Sequence, residues 1–335
     1  MASSSAPPSR PASPPEADAP AGRQRLWPLV SRGIKIAISV GLLAFLISRL
    51  DLARAGEIAI GMHLGLLLLA VIVVIADRLF AAYRWYILLP TRNRIGFGRL
   101  VRFMFVSGFL GFLVPGTVGV EAVRIYSLSR ATDDLAMAFS SVLVERLFGV
   151  LSLLILVLVG LVVAPLGLPP AVGQLALAGL AGIVLVVAVL MLPRLRALTF
   201  ALLPGNMLGL VRSKLQKLYE RLDAYQSRPG VLAWSMLLAV LFQMQRVVQV
   251  AILAWGLGLD FQLLHFFALM PIILFVTLLP ISIAGFGVRE TSFVYLLGLA
   301  GIEAEAGFTL ALLTFVTNHV SVVIGAWLYV RGKDR

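Results

Sequence analysis

Long runs of apolar residues follow one another along the whole chain, separated by short polar segments. A membrane-spanning helix needs about 20 consecutive apolar residues, and several of these runs reach that length. Hydrophobic residues make up 60% of the chain and charged residues 13%, against about 45–50% and about 25% in soluble domains. We therefore predict an all-α polytopic membrane protein and exclude a water-soluble one.

The chain has no cysteine and only three histidines, which are not clustered. This excludes disulfides, thiolate zinc sites, iron–sulfur clusters and cysteine nucleophiles, and we predict no metal site and no cofactor. Lysine and arginine number 28 against 16 aspartate and glutamate, for a net charge of +12. In a membrane protein this excess sets orientation and attracts anionic lipid, so we predict no nucleic-acid partner.

Six apolar runs are predicted to be full transmembrane helices. They cover residues 34–50, 62–90, 135–163, 171–192, 231–257 and 307–329. Segments 103–128 and 263–301 differ, because each is broken into two legs too short to span about 30 Å. We predict two re-entrant helical hairpins, or eight spans in all if the hairpins cross fully. These elements form one transmembrane domain over residues 33–330, preceded by a disordered basic tail over residues 1–32.

The two hairpins carry the same motif at a constant offset of 165 residues. The matched positions are Leu113 and Leu278, Pro115 and Pro280, Thr117 and Ser282, Val123 and Val288, and Arg124 and Arg289. We predict an internal repeat with halves of about 33–165 and 171–330. Each half holds three spans, and an odd number gives the halves opposite orientations, as in the inverted repeats of many transporters.

The distribution of positive charge predicts the orientation. Five segments are assigned to the cytoplasm: residues 1–35, 91–102, 124–130, 193–230 and 331–335. They hold 21 of the 28 Lys and Arg residues, while the outer loops hold two, which follows the positive-inside rule and places both termini in the cytoplasm. Residues 207–226 repeat apolar residues every three to four positions and predict a basic amphipathic helix on the membrane surface.

Charged residues inside the apolar segments are the first candidates for a functional site, because a charge in the bilayer is costly without a partner or a wet cavity. The candidates are Asp77, Arg78, Arg84, Glu121, Arg124, Glu145, Arg146, Arg246, Arg289 and Glu290. Several are neighbours in sequence, and neighbours on a helix point about 100° apart, so we expect each adjacent pair to engage other helices. For Glu145 and Arg146 two interpretations stay open: an ion pair that ties helices together, or contact with substrate.

The hairpin breaks supply the second set of candidates. Arg124 and Arg289 lie beside backbone N–H groups that a broken helix exposes, and a guanidinium binds phosphate or carboxylate bidentately. The alternative is that both arginines only anchor the hairpins at the headgroup level. The predicted substrate-binding set is Arg124, Arg289, Glu290, Glu145, Arg146, Glu121, Thr117 and Ser282.

The remaining polar and small residues receive other roles. Thr117 and Ser282 either donate to the same anion or, as we prefer, cap the broken helices. The residues assigned to the bends are Pro115, Gly116, Gly119, Pro280, Gly285 and Gly287. The secondary polar candidates are Asp77, Arg78, Arg84, Arg246, Asn318 and His319. His319 titrates near neutral pH and could take part in proton coupling, although an interhelical hydrogen bond is the preferred role.

Four segments carry a resemblance to a known family: Arg84-Trp85, residues 109–130, residues 140–146 (SSVLVER) and residues 279–290 (LPISIAGFGVRE). In these segments the chain resembles flippase-like integral membrane proteins related to the transmembrane region of lysylphosphatidylglycerol synthases. The resemblance covers roughly residues 33–330, and the last segment is the most specific. The family often has an acidic residue directly after a glycine ahead of the first-hairpin arginine, whereas here Gly119-Val120-Glu121 shifts it by one position.

The resemblance implies movement of a lipid or lipid-linked molecule, with a phosphate-containing headgroup, between membrane leaflets. Because the chain ends at Arg335, soon after the last span, we expect a transporter without its own synthase domain rather than an enzyme. The expected location is a bacterial or archaeal cytoplasmic membrane. The expected partners are membrane lipids, an anionic lipid surface and a lipid-modifying synthase or glycosyltransferase.

Two alternatives stay open. One is a non-catalytic membrane partner that presents lipid to a separate synthase. The other is an integral membrane enzyme acting on a lipid phosphate, which would need a metal or nucleophile cluster that the sequence does not offer.

Overall fold

Apolar runs of this kind fold as helices, because a helix satisfies its own backbone hydrogen bonds where no water is present. A computed structural model of the chain describes residues 23–90, 95–113, 119–163, 169–192, 194–195, 198, 208–260, 262–279, 281–282 and 285–332. Over these residues the protein is helical and contains no strand. The predicted all-α polytopic class is therefore confirmed.

The helices span the following residues in chain order: α1 Arg23–Ile47, α2 Leu52–Ile60, α3 Leu64–Leu88, α4 Phe97–Leu113, α5 Gly119–Thr132, α6 Leu135–Val163, α7 Pro170–Met191, α8 Leu208–Gln226, α9 Pro229–Gly256, α10 Leu263–Leu278, α11 Val288–Leu299 and α12 Ala304–Arg331. Within the described residues, five helices are long and apolar enough to cross a membrane, namely α3, α6, α7, α9 and α12. The bent pair α1 and α2 makes a sixth span if the two are taken together. This count agrees with the six predicted full spans.

The first predicted span, residues 34–50, differs from the structure at its end. Helix α1 stops at Ile47, and α2 leaves it at an angle of 84°. Asp51 caps α2, since its carboxylate accepts hydrogen bonds from the backbone N–H groups of Ala53 (2.9 Å) and Arg54 (3.1 Å). An aspartate directly before a helical segment is a strong start signal, and it ends the apolar run here.

Helix α1 begins at Arg23, inside the segment predicted as a disordered tail. Residues 23–32 of that predicted tail are therefore helical. The apolar residues Leu26, Trp27, Leu29 and Val30 extend the following apolar run upstream, whereas the Pro-, Ser- and Ala-rich composition ends before them. Residues 1–22 lie outside the described residues.

The helices of the two halves correspond in position. When α3, α4, α5 and α6 are moved by 165 residues, their ends fall within four residues of those of α9, α10, α11 and α12. The packing follows the same correspondence, because α3 packs against α9, α4 against α12, and α10 against α6. The first short leg of each half therefore packs on the last long helix of the other half, which brings both short-leg pairs to the centre of the bundle.

The second short-leg pair bends at two glycines. Gly285 and Gly287 both have a φ of 79°, a region that residues with a side chain rarely adopt. Gly287 also lies against α1, where an added Cβ would be 2.8 Å from the carbonyl oxygen of Ser39. Gly119 is the first residue of α5. The other predicted bend residues, Pro115, Gly116 and Pro280, lie outside the described residues.

We expect Gly287→Ala to lower the free energy of unfolding by about 1–3 kcal/mol, because alanine is strained at this φ and its Cβ meets α1. Thermal unfolding of the purified protein in detergent measures the loss. The matched control is Gly298→Ala on the exposed side of α11, where no neighbouring atom lies within 4 Å and a gain of up to about 1 kcal/mol is expected. Equal thermal-unfolding midpoints for Gly287→Ala and Gly298→Ala would contradict the assignment of Gly287 to the bend before α11.

Helix α8 forms as the amphipathic helix predicted over residues 207–226, but protein covers its apolar face. Tyr219, Leu222 and Tyr225 are buried against Leu88 of α3 and Val144 of α6. This burial raises the pKa of the Tyr225 hydroxyl well above its ordinary value. The predicted contact of the apolar face with the membrane surface is therefore wrong for these side chains, because the short link to α9 holds the helix against the bundle.

Candidate functional site

A cavity of about 430 Å³ lies inside the bundle, where α3, α5, α6 and α9 meet α10, α11 and α12. Its charged lining residues are Arg78, Arg84, Glu121, Arg124, Glu145, Arg146, Arg246 and Arg289. Both short-leg pairs reach it, since α5 contributes Arg124 and α11 contributes Arg289. Six arginines against two carboxylates, counted over the described residues, make the cavity strongly positive.

Glu145 of α6 sits between two arginines from other helices. Its Oε1 accepts a hydrogen bond from Nη2 of Arg84 at 2.8 Å, and its Oε2 pairs with Arg124. The side chains of Glu145, Arg84 and Arg124 are only 4%, 7% and 9% exposed. This three-membered group ties α3, α5 and α6 together and carries one more positive than negative charge.

An aromatic ring packs against each of the two arginines of this group. The guanidinium carbon of Arg84 lies 4.7 Å from the ring centre of Phe242, and that of Arg124 lies 4.2 Å from Trp85. Trp85 is fully buried and donates its indole N–H to the hydroxyl of Ser141 at 3.2 Å. Cation–π contacts stabilise an arginine without neutralising it, so the positive charge stays available to the cavity.

Arg146, the neighbour of Glu145, also contacts α5, the helix that carries Arg124. It donates to Glu121 of α5 at 2.7 Å, and its side chain is 48% exposed. Both members of the adjacent pair Glu145 and Arg146 therefore contact helices other than their own, as expected. Glu121 keeps one buried oxygen, Oε2, without a hydrogen-bond partner.

Arg289 and Glu290 behave differently, because they pair with each other. Glu290 also accepts a hydrogen bond from the backbone N–H of Gly287 at 2.8 Å, which makes it a cap of α11. This capping holds the carboxylate at the helix start, so the expected partner on another helix is absent from the described residues. Arg289 instead lies over the ring of Phe315 on α12, at 4.6 Å.

Arg78 and Arg246 line the cavity without a salt bridge to any described residue. Asp77 is buried beside them, and its charge acts on Arg78, Arg246 and Arg84. Its Oδ1 has no hydrogen-bond partner among the described residues. Several guanidinium N–H groups are likewise buried and unpartnered: Nε of Arg78, Nε and Nη1 of Arg84, Nε of Arg124 and Nε of Arg289.

Neutral polar residues complete the lining, and the predicted set did not include most of them. Asn318 was a candidate, whereas Gln243, Gln249, Thr277 and Thr314 were not. The two glutamines do have a signal in the sequence. Gln243, Arg246 and Gln249 follow a three-residue spacing, which places all three on one face of α9. Gln243 donates to the carbonyl of Gly149 at 3.0 Å and leaves its own oxygen unpartnered.

Several predicted residues do not line the cavity: Asp77, Gly119, Ser282, Gly285, Gly287, Glu290 and His319. Ser282 is buried, its hydroxyl has no partner among the residues that the structure describes, and it is not the cap of α11, because Gly287 holds that position. His319 contacts the carbonyl oxygen of Phe315 through Nδ1 at 2.6 Å. That bond lies within α12, and over the described part of the chain His319 makes no hydrogen bond to another helix. Thr117 lies outside the described residues.

Comparison with known families gives one match. The family model described as the lysylphosphatidylglycerol synthase TM region matches residues 33–325, which is nearly the whole chain. No curated protein matches the chain.

Proposed function

The chain belongs to the family of the lysylphosphatidylglycerol synthase transmembrane region, and on this premise we propose that it moves a lipid or lipid-linked molecule between the leaflets of its membrane. The proposed substrate has a headgroup that contains phosphate. The observation that carries the proposal is the cavity inside the bundle, lined by six arginines and two carboxylates among the described residues.

Phosphate is the chemistry that this lining favours. A guanidinium presents several N–H donors in a planar fork that fits phosphate oxygens, and such charge-assisted bonds are roughly twice as strong as neutral ones. Arg84 and Arg124 are nearly fully buried and line the cavity. Glu145 neutralises only one of their two charges, so an anionic headgroup that entered the cavity would be attracted by the remaining positive charge.

We further propose that the two halves form an inverted repeat, with α4–α5 and α10–α11 as re-entrant hairpins from opposite faces. The 165-residue correspondence of helix ends and the reciprocal packing of α4 on α12 and α10 on α6 support this arrangement. Arg124 and Arg289 then hold equivalent positions, one on each hairpin, and both line the cavity. Alternate opening of the two hairpins would expose the headgroup to one leaflet and then the other while the tails stay in lipid.

The remaining parts of the proposal are supported by the family resemblance and by the distribution of positive charge. The protein acts as a transporter rather than an enzyme, in a bacterial or archaeal cytoplasmic membrane, with both termini in the cytoplasm. A separate synthase or glycosyltransferase supplies its lipid. Among the described residues, no group of three or more His, Asp and Glu side chains is arranged to hold a metal ion, so nothing there favours the alternative of a metal-dependent lipid-phosphate enzyme.

Reconstitution into vesicles with a fluorescent phospholipid tests the function. We expect the purified protein to make inner-leaflet lipid accessible to a membrane-impermeant quencher much faster than protein-free vesicles do. Arg289→Ala should slow this transfer at least tenfold, while Arg331→Ala, at the far end of α12 and outside the cavity lining, should not.

Two outcomes would contradict the proposal. Equal transfer by Arg289→Ala and wild type, at equal reconstitution, would remove this arginine from the path. No transfer of any phospholipid by the wild type, together with stable co-purification of a lipid synthase, would favour the non-catalytic partner instead.

A further inference from the structure

The charges that surround the cavity do not balance among themselves. Arg84 and Arg124 share the single carboxylate of Glu145, Arg146 pairs with Glu121, and Arg289 pairs with Glu290. The first group keeps one positive charge and the two pairs keep none. Arg78 and Arg246 then face only Asp77, which acts on both. Six arginines against four carboxylates leave a formal charge of +2 around the cavity, counted over the described residues.

An excess of this size is unfavourable in the interior of a membrane protein. Each buried charge without a counter-charge costs several kcal/mol after relaxation, and the surrounding lipid offers no compensation. Among the described residues, the lining holds no carboxylate besides Glu121 and Glu145, and both are already paired. An anionic molecule bound in the cavity would supply the missing counter-charge.

We propose that the cavity is matched to a lipid headgroup that carries two negative charges and no amine, that is, a phosphomonoester or a diphosphate. This rests on the proposed function and narrows its substrate class. A phosphomonoester carries close to two charges above its second pKa of about 6, whereas a phosphodiester carries only one.

The lining also disfavours a headgroup that contains an ammonium group. Both lining carboxylates are occupied, Glu145 by two arginines and Glu121 by Arg146. An ammonium group would meet like charges from Arg78 and Arg246 with no free counter-charge, and like charges at short range repel strongly in a poorly solvated site.

The volume is consistent with a headgroup rather than with a whole lipid. A cavity of about 430 Å³ lies in the lower part of the range of about 300–1,000 Å³ that small-molecule sites occupy. One or two phosphate groups with a hydroxyl-bearing substituent and some water fit within that space. The acyl or isoprenoid tails then remain outside the cavity.

A matched pair of short-chain lipids tests this inference. Dihexanoyl phosphatidic acid and dihexanoyl phosphatidylmethanol differ by one methyl group and one negative charge. We expect the full-length protein in detergent at pH 8, measured by titration calorimetry, to bind the phosphatidic acid at least tenfold more tightly. Glycerol 3-phosphate, which has the same phosphomonoester without tails, should bind at least tenfold more weakly than phosphatidic acid.

Variants that change the charge in opposite directions make the test specific. Arg246→Gln lowers the formal charge around the cavity from +2 to +1. It should reduce the ratio of the affinity for phosphatidic acid to the affinity for phosphatidylmethanol at least threefold. Asp77→Asn raises the excess to +3 and should increase that ratio, an effect that a merely structural role does not produce. Arg331→Gln, outside the lining, should leave the ratio unchanged.

The outcomes separate this inference from the proposed function. If the wild type transfers labelled lipid in vesicles but binds both short-chain lipids equally, the inference of a headgroup with two negative charges is overturned and the proposed function stands. If glycerol 3-phosphate binds as tightly as phosphatidic acid, the tails contribute nothing to binding and the inference that the ligand is a lipid is overturned. If there is neither binding nor transfer, both proposals fail.

Discussion

Replacing Glu145 by glutamine is expected to lower the free energy of unfolding by about 3–5 kcal/mol, the usual cost of removing one partner from a buried ionic group. Glutamine has the same shape but carries no charge. Arg84 and Arg124, both nearly fully buried, would then face each other across a neutral amide. The loss comes from two guanidinium groups without a counter-charge rather than from a cavity.

Detergent-denaturant unfolding in mixed micelles, followed by tryptophan fluorescence, measures this loss. The matched control is Glu303→Gln, because Glu303 pairs with Arg54 on an exposed surface and such pairs contribute little. The Glu303 variant should unfold at the same midpoint as the wild type within error.

A triple variant separates charge from packing. When Arg84→Met and Arg124→Met are combined with Glu145→Leu, all three charges disappear together, and apolar replacement of a buried ionic group is often neutral or stabilising. We expect the triple variant to regain most of the stability that Glu145→Gln loses. A Glu145→Gln protein as stable as the wild type would show that the group is hydrated and contributes no such energy.

The long helices were predictable from the sequence because their signal is local. Apolar runs of sufficient length specify α3, α6, α7, α9 and α12 directly, and the structure places each close to its predicted bounds. The first predicted span ends at residue 50, close to the end of α1, but no helix was predicted over residues 52–60. Its signal is also local, since Asp51 caps α2.

The composition of the site was predictable only in part. An arginine or glutamate inside an apolar run is conspicuous, so six of the six cavity arginines were among the candidates. Their partners were not, because Glu145 meets Arg84 and Arg124 across 61 and 21 residues of chain. Such pairings depend on how helices pack, which periodicity within one helix does not determine.

Glu290 has a role that a local signal could have indicated. Its charge and its place in the repeated motif suggested a substrate contact, but its position three residues after Gly287 makes it a helix cap. Capping is a local interaction and could have been predicted from that spacing. The neutral residues Gln243 and Gln249 were overlooked because amides are common interhelical donors, and only their alignment with Arg246 indicates the cavity.

Blocking the cavity tests the central claim most directly. The chain has no cysteine, so a single introduced thiol can be modified alone. Val150 of α6 lines the cavity, is half-buried and makes no polar contact, and cysteine is close to valine in size. We expect Val150→Cys to fold and to transfer lipid at a rate near that of the wild type before modification.

After reaction with a bulky anionic thiol reagent, Val150→Cys in vesicles should transfer fluorescent phospholipid at least tenfold more slowly, because the headgroup and the reagent compete for one space. Phosphatidic acid added first should slow the modification. Ser227→Cys, exposed between α8 and α9, should react without any effect on transfer. Undiminished transfer by fully modified Val150→Cys would show that lipid moves by a route that does not pass through the cavity.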